Sequence, residues 1–407
     1  MQKSRFTPTR RPVAGADHDG GEGMSAASRA VLAGILLLAL ATAGAAADPD
    51  RTRGWKTTPI PLYNFSSDAG TGYGLRLNLY EYDGETVPYR RKYSGQLFFT
   101  TEGKWVHRVL MDSPAFRGRD ERLQLELVYK KEQFANYYGG FPRAWTDSLT
   151  RDQRTFEQAF PEFLVTWIRP LSGSGRERTA DDARRRSPWR LRVGGRLSRN
   201  DITPNAQVGN ILADKRPLGA GGGTLVQING ALRYDTRNNY NNTTIGLLEE
   251  LRVEYGVGAG GDFNGATASF QHRHFATSRY GLTLAHRLNV DWTVGDLPFY
   301  EELDLGGSST VRGVRSARDR GQARVLLNGE VRWRGLQLTP SGRMSLGMLV
   351  FVDVGQIFDR DQLPAPGAWR RSAGTGLRGH WHSTIVRADY GRSGDRTGIY
   401  ITFSQVF

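Results

Sequence analysis

Between residues 73 and 407, apolar side chains return at every second position in segment after segment. Nowhere there do they run on for the roughly 20 residues that a bilayer-spanning helix needs. Leu123, Leu125, Leu127 and Tyr129 point to one side of a strand, and Gln124, Glu126 and Lys130 to the other. The cause is geometric: successive side chains of extended backbone alternate faces. Trp189, Leu191, Val193 and Leu197 separate in the same way from Arg190, Arg192, Arg196 and Ser198. So do Leu282, Leu284, Leu288 and Val290 from Thr283, Arg287, Asn289 and Asp291, a segment bracketed by Tyr280 and Trp292. Aromatic residues at both ends suit the two interfaces of a bilayer. Alternation by itself fits a soluble sandwich with its apolar faces inward as well as a membrane barrel with them outward.

The N-terminus separates the two. Met24 to Ala47 reads as a secretory signal, with Arg29 as the positive start, Val31 to Ala43 as a short apolar core, and Ala45 and Ala47 before the cleavage point. Asp48 is the expected first residue of the mature chain. The core is too short for a membrane helix, and nothing anchors its far side. Residues 1–23 are polar and are expected to be a disordered or mis-assigned leader. An exported chain of strands with no helical pattern, ending on an aromatic residue, points to a barrel in the outer membrane of a Gram-negative-type bacterium. Sheet edges cannot be left open in lipid, so such a sheet has to close.

Composition agrees. The hydrophobic fraction is only 38%, as expected when half of each strand is polar. The formal charge of +14 invites a nucleic-acid reading, but no zinc spacing, aromatic RNA-binding pattern or basic helix accompanies it, and no nucleic-acid partner is expected. The chain has no Cys, which suits an oxidising compartment.

Fifteen candidate strands can be drawn, from 73–82 to 398–407. An even number is required if both ends are periplasmic, so sixteen are expected, with fourteen as the alternative. The missing strand is expected within 134–155 or 201–223. Residues 48–72 are read as a short periplasmic segment, 73–407 as the barrel, and Ser172–Ser187, with Arg184, Arg185 and Arg186, as a charged loop.

Three elements near the C-terminus occur in a specific order: LGGSSTVRGVRSARDRG from Leu305 to Gly321, then Phe351, Asp353 and Gly355, then GIYITFSQVF from Gly398 to Phe407. On them the chain resembles the BamA/TamA superfamily of outer-membrane assembly and translocation barrels, the bacterial surface antigen proteins. PLYNFSSDAGTGYGLRL and the run Asp235, Thr236, Arg237 and Asn238 resemble it more loosely. The resemblance implies a long extracellular loop that folds into the lumen and carries Gly306, Gly307, Val311, Arg312 and Gly313. It also implies a terminal strand signal in Gly398, Tyr400, Phe403 and Phe407. Val314 stands where the family usually has an aromatic residue. Between Asp48 and residue 73 there is no room for the periplasmic POTRA modules that family members usually carry, so a POTRA-less member is expected.

Alternation makes the loop motif intelligible. Met344, Leu346, Met348, Val350, Val352 and Val354 share the lipid-facing parity, which turns Asp353 inward. Val325, Leu327, Val331 and Trp333 do the same for Glu330, Arg332 and Arg334. A loop dipping into the barrel would place Arg312 against Asp353 or Glu330, as a planar fork of donors on a carboxylate.

No catalytic constellation, cofactor site or metal site is expected. His272 and His274 share one strand face, but two His without a carboxylate neighbour read as ordinary lumen or interface residues, and His380 and His382 fall in a short turn. Gly219 to Gly223 lacks the Lys-Ser/Thr of a phosphate cradle. The inward arginines read first as a ladder balanced by acids, and second as an anion-favouring pore. The resemblance implies a barrel that inserts or translocates polypeptides through a seam between its first and last strands. Its partners would be membrane lipids, client polypeptides and a separate periplasmic chaperone or POTRA protein. The alternatives are a passive porin-like channel and a structural barrel that anchors a partner.

Overall fold

The computed structural model describes residues 53–171, 187–206, 208–240, 242–339, 344–381 and 384–407. The leader, the signal segment 24–47, most of the charged loop Ser172–Ser187 and His382 lie outside the described residues. The first eight strands are β1 (Arg53–Ser66), β2 (Gly70–Asp83), β3 (Arg91–Thr100), β4 (Lys104–Ser113), β5 (Arg122–Asn136), β6 (Thr155–Pro170), β7 (Trp189–Pro204) and β8 (Gly223–Asp235). They are followed by β9 (Gly246–Gly258), β10 (Asn264–Thr277), β11 (Leu282–Asp296), β14 (Ala323–Gln337), β15 (Met344–Phe358), β16 (Arg370–Trp381), β17 (Thr384–Ser393) and β18 (Arg396–Phe403). Two three-residue strands, β12 (Leu303–Leu305) and β13 (Asp319–Gly321), form a separate ribbon within the connection from β11 to β14.

Neighbours in the chain are neighbours in the sheet, every pairing is antiparallel, and β18 returns to β1, so sixteen strands among the described residues close into a barrel. Closure satisfies the backbone groups that lipid cannot, except along the β18 side of β1. The alternation read from the sequence sorts the two faces. Leu127, Val193, Leu284, Val350 and Val352 are exposed on the outside, while Asp291, Asn328, Glu330 and Asp353 are buried inside. No described helix is long and apolar enough to cross a membrane.

Three expectations need correction. The sixteenth strand lies neither in 134–155 nor in 201–223. Those stretches hold the ends of flanking strands and the short helices Arg143–Thr146 and Ile211–Lys215. It is β1, inside the segment 48–72 read as periplasmic, so the barrel begins at Arg53 rather than 73.

Pro59 and Pro61 disguise β1, since a proline cannot donate to a ladder. They are tolerated because of where they point. Ser67 N–H donates to Ile399 O at 3.0 Å across the β18 side. Residues of the same parity, including 59 and 61, aim their backbone N to that side, where β1 has no partner below Phe65.

The third correction is the C-terminus. β18 ends at Phe403, not 407, because Ser404 takes a left-handed φ of 69° and turns residues 404–407 out of the wall. Phe407 ends up inside the lumen, packed with Phe275 and Ala285.

Candidate functional site

The connection from β11 to β14 does not stand clear of the barrel. Its β12–β13 ribbon lowers residues 306–318 against the inner wall, where Leu305, Val311 and Val314 pack on Leu326 and Ile357. Val314 therefore fills an apolar contact in place of the aromatic residue that the resemblance implies. The descent needs backbone that most residues resist: Gly306, Gly307 and Gly313 have φ of 117°, 88° and 91°. At Gly306 a β-carbon would sit 1.9 Å from Arg315 O, so the turn admits nothing larger.

At the tip, the Arg312 side chain is fully buried. Its Nε and Nη2 donate to Asp353 Oδ2 and Oδ1, both at 2.8 Å, a bidentate fork, and its backbone N donates to Oδ2 at 3.1 Å. Nη1 donates to Glu330 Oε1 at 2.9 Å and to Asp389 Oδ2 at 3.1 Å. The guanidinium carbon lies 3.3 Å from the centre of the Phe351 ring, a cation–π contact in a water-excluded site. Burial opposes the charge, but the hydrogen bonds and charges of Asp353, Glu330 and Asp389 outweigh it and raise the guanidinium pKa above its ordinary value.

The wall is shaped to receive this group. Asn328 donates to Asp353 Oδ1 at 2.8 Å and to Thr310 O at 2.7 Å, so it grips the carboxylate and the loop together. Arg287 holds Asn328 Oδ1 and Ser309 O at 2.6 Å each. Glu330 shares its second oxygen with Arg332 at 2.8 Å. Two glycines let the chains approach: a β-carbon on Gly391 would meet the Arg312 backbone at 3.0 Å, and one on Gly355 would meet Leu305 at 2.7 Å. The Tyr400 ring lies over Gly398, and its hydroxyl accepts a hydrogen bond from Gly313 N at 3.0 Å.

The structure thus brings Val311, Arg312, Gly313, Glu330, Phe351, Asp353, Gly355 and Tyr400 into one constellation, with Gly306 and Gly307 at its neck and Gly398 beneath Tyr400. Phe403 and Phe407 lie apart from it, the first at the C-terminal end of β18 and the second in the lumen against Phe275 and Ala285. Asp389, Asn328 and Arg287 were not foreseen. Alternation along 384–391 does put Arg387 and Asp389 inside, but nothing local says which inward acid reaches Arg312. Elsewhere inside, Arg192 pairs with Glu250 at 3.2 Å and Arg196 with Glu162 at 2.9 Å. That agrees with a balanced ladder.

One edge of the same wall is weakly made. Among the described residues, the β18–β1 ladder holds two pairs, Phe65 with Ile401 and Ser66 with Tyr400, with hydrogen bonds between Ser67 and Ile399 just beyond it, whereas every other neighbouring pair in the barrel shares at least six positions. Most of β1, from Arg53 to Asn64, has no partner on that side.

A family model described as the Omp85 superfamily domain matches residues 109–404. Among solved structures, the chain is similar to BamA from Haemophilus ducreyi lacking POTRA domains 1–3, with TM-score 0.59 and 13% identity over 86% of this chain and 70% of that one. It is also similar to CdiB from Escherichia coli, with TM-score 0.57 and 11% identity over 86% of this chain and 63% of that one. CdiB from Acinetobacter baumannii gives TM-score 0.50 and 12% identity over 86% and 66%. The chain spans less than two thirds of either CdiB. No curated protein sequence matches it. At these identities the structures speak to the fold alone.

Proposed function

Because the chain belongs to the Omp85 superfamily, we propose that it is an outer-membrane barrel that helps insert or translocate polypeptides, with the β1–β18 seam as their lateral exit. A single observation carries this reading: the seam holds two residue pairs in a barrel whose other edges hold six or more. At a net of about 1 kcal/mol for each backbone hydrogen bond, such a seam opens for a few kcal/mol. The edge exposed on β1 offers unpaired N–H and C=O groups that an incoming strand can take up by backbone pairing. Clients would be unfolded outer-membrane or surface polypeptides, delivered by a periplasmic chaperone or a POTRA-bearing protein.

The clamp complements the seam. Asp389 and Tyr400 tie the inserted loop to β17 and β18, so the wall next to the opening stays braced. A passive channel is less well supported, because residues 306–318 occupy the lumen and three arginines beside them, Arg332, Arg378 and Arg387, are ion-paired with Glu330 or Asp389.

The test is a disulfide across the seam. The strand bearing Leu75 and Leu77, expected to be first, is β2, so the trap belongs between Phe65 and Ile401, whose Cα atoms are paired. The chain has no cysteine of its own. Phe65→Cys/Ile401→Cys should block client assembly when oxidised and recover it on reduction. Undiminished assembly by fully cross-linked protein would sink the reading.

A further inference from the structure

The outward face of β9, β10 and β11 is apolar, as Leu251, Val253, Phe270, Leu284 and Val290 show by their exposure. Apart from Asn264 and Asp296 at the strand ends, four charged or imidazole side chains share its parity: Glu249 on β9, His272 and His274 on β10, and His286 on β11. The sequence reading put the two histidines of β10 among ordinary lumen or interface residues. The structure sets them on the outside and adds a third histidine and a carboxylate. Three of the seven histidines in the chain meet here. Polar groups on a lipid-facing surface are costly, so a cluster of them is a functional hypothesis by default.

Two of the four, His272 and His286, are spaced as ligands are. His272 and His274 are two residues apart on one strand, and His286 sits directly opposite His274 on the next. His272 Nε2 and His286 Nε2 are 3.3 Å apart. In a tetrahedral zinc site with Zn–N bonds of about 2.0–2.1 Å, neighbouring ligand atoms are separated by about 3.3–3.4 Å, so these two nitrogens already span one edge.

The other nitrogen of His272, Nδ1, faces Glu249 Oε1 at 3.3 Å. That is the carboxylate–histidine contact which fixes the tautomer and orientation of a metal-bound imidazole. The His274 ring centre is 5.3 Å from that of His286 and tilted by 54°. No group of three ligands is preformed among the described residues, so His274 must rotate to complete the set. There is room on the far side of His286: Gly329 is its partner on β14, and a β-carbon there would meet nothing closer than 4.0 Å.

We infer that His272, His274 and His286 bind one divalent transition-metal ion on the outer wall of the barrel, with Glu249 as the positioning residue. Three imidazoles leave a fourth position for water or another oxygen ligand, and the softness of the donors favours zinc, nickel or copper over magnesium. This site does not depend on the seam.

The experiment is titration of the full chain, purified in detergent without a histidine tag, with Zn²⁺ alone and with Mg²⁺ alone. One saturable Zn²⁺ per chain is expected, with no response to Mg²⁺. His272→Ala/His286→Ala should weaken binding at least 100-fold, and Glu249→Gln about 10-fold. Copper EPR on the unaltered protein gives a readout free of any folding defect, and nitrogen couplings from imidazole are expected. Absence of saturable Zn²⁺ binding, Zn²⁺ affinity unchanged in the double variant, or a copper spectrum without nitrogen couplings would each overturn the inference.

Discussion

The wall that receives the loop and the seam beside it share one strand, β18, yet they differ in almost every bond. On the inner side of β18, the Tyr400 hydroxyl holds the loop, and the neighbouring strands close around a buried guanidinium with three carboxylates. On its free edge, the backbone of Tyr400 shares with Ser66 one of the two ladder pairs that join the ends of the barrel. Directional, desolvated ion pairs can lock a loop without help from the ladder, and a ladder can be left short when the wall next to it is braced from inside. Rigidity and weakness are thus placed within one residue of each other.

The largest blow to this contrast should come from Arg312→Ala. It leaves Asp353, Glu330 and Asp389 facing one another without their common partner, and loss of one member of a buried pair costs about 3–5 kcal/mol. Heat-resistant migration and protease resistance of the loop should both fall. If neither changes, the clamp is not what holds the loop. Arg312→Lys keeps the charge but not the fork and should lie between the two.

Gly391→Ala comes next. A methyl group 3.0 Å from the Arg312 backbone must displace the tip, at a cost of about 1–3 kcal/mol, read as a lower urea midpoint in detergent. Tyr400→Phe removes one hydrogen bond to the loop and should cost about 1 kcal/mol, while the Ser66 pair stays intact. Hydrogen exchange would sharpen the contrast here: the Gly313 amide should lose protection and the seam amides should not.

The smallest effect is expected from Pro59→Thr/Pro61→Thr, which returns two N–H groups to the seam side of β1. Because residues 404–407 turn into the lumen, those donors find no partner, and stability should move by less than about 0.5 kcal/mol. A large gain in seam protection would mean that the prolines, rather than the inward turn at Ser404, keep the seam short.

Part of this site was legible from residues alone. The parity of Met344 to Val354 turned Asp353 inward, that of Val325 to Trp333 turned Glu330 inward, and the motif around Arg312 marked the loop. The rest depended on contacts between distant segments. Asp389 is one of several inward acids, and its meeting with Arg312, 77 residues away, follows from the stagger of the strands around the barrel. β1 escaped notice because its prolines are acceptable only beside an unpaired edge, and an edge is a property of the closed sheet. The histidine cluster was half visible as His272 and His274, but Glu249 and His286 joined it through register.

Period-two alternation needs no neighbours to operate, since the stereochemistry of extended backbone assigns each side chain a face. The chain's own order of residues therefore settled that this is a sheet with one oily side and one charged side, and which residues belong to each. Which strand lies against which, at what offset, and where the ring is weakest follow from closing sixteen strands at once. Closure adds a constraint that no single strand carries, and it is this constraint that gathers three carboxylates around one arginine and leaves two residue pairs to hold the ends together.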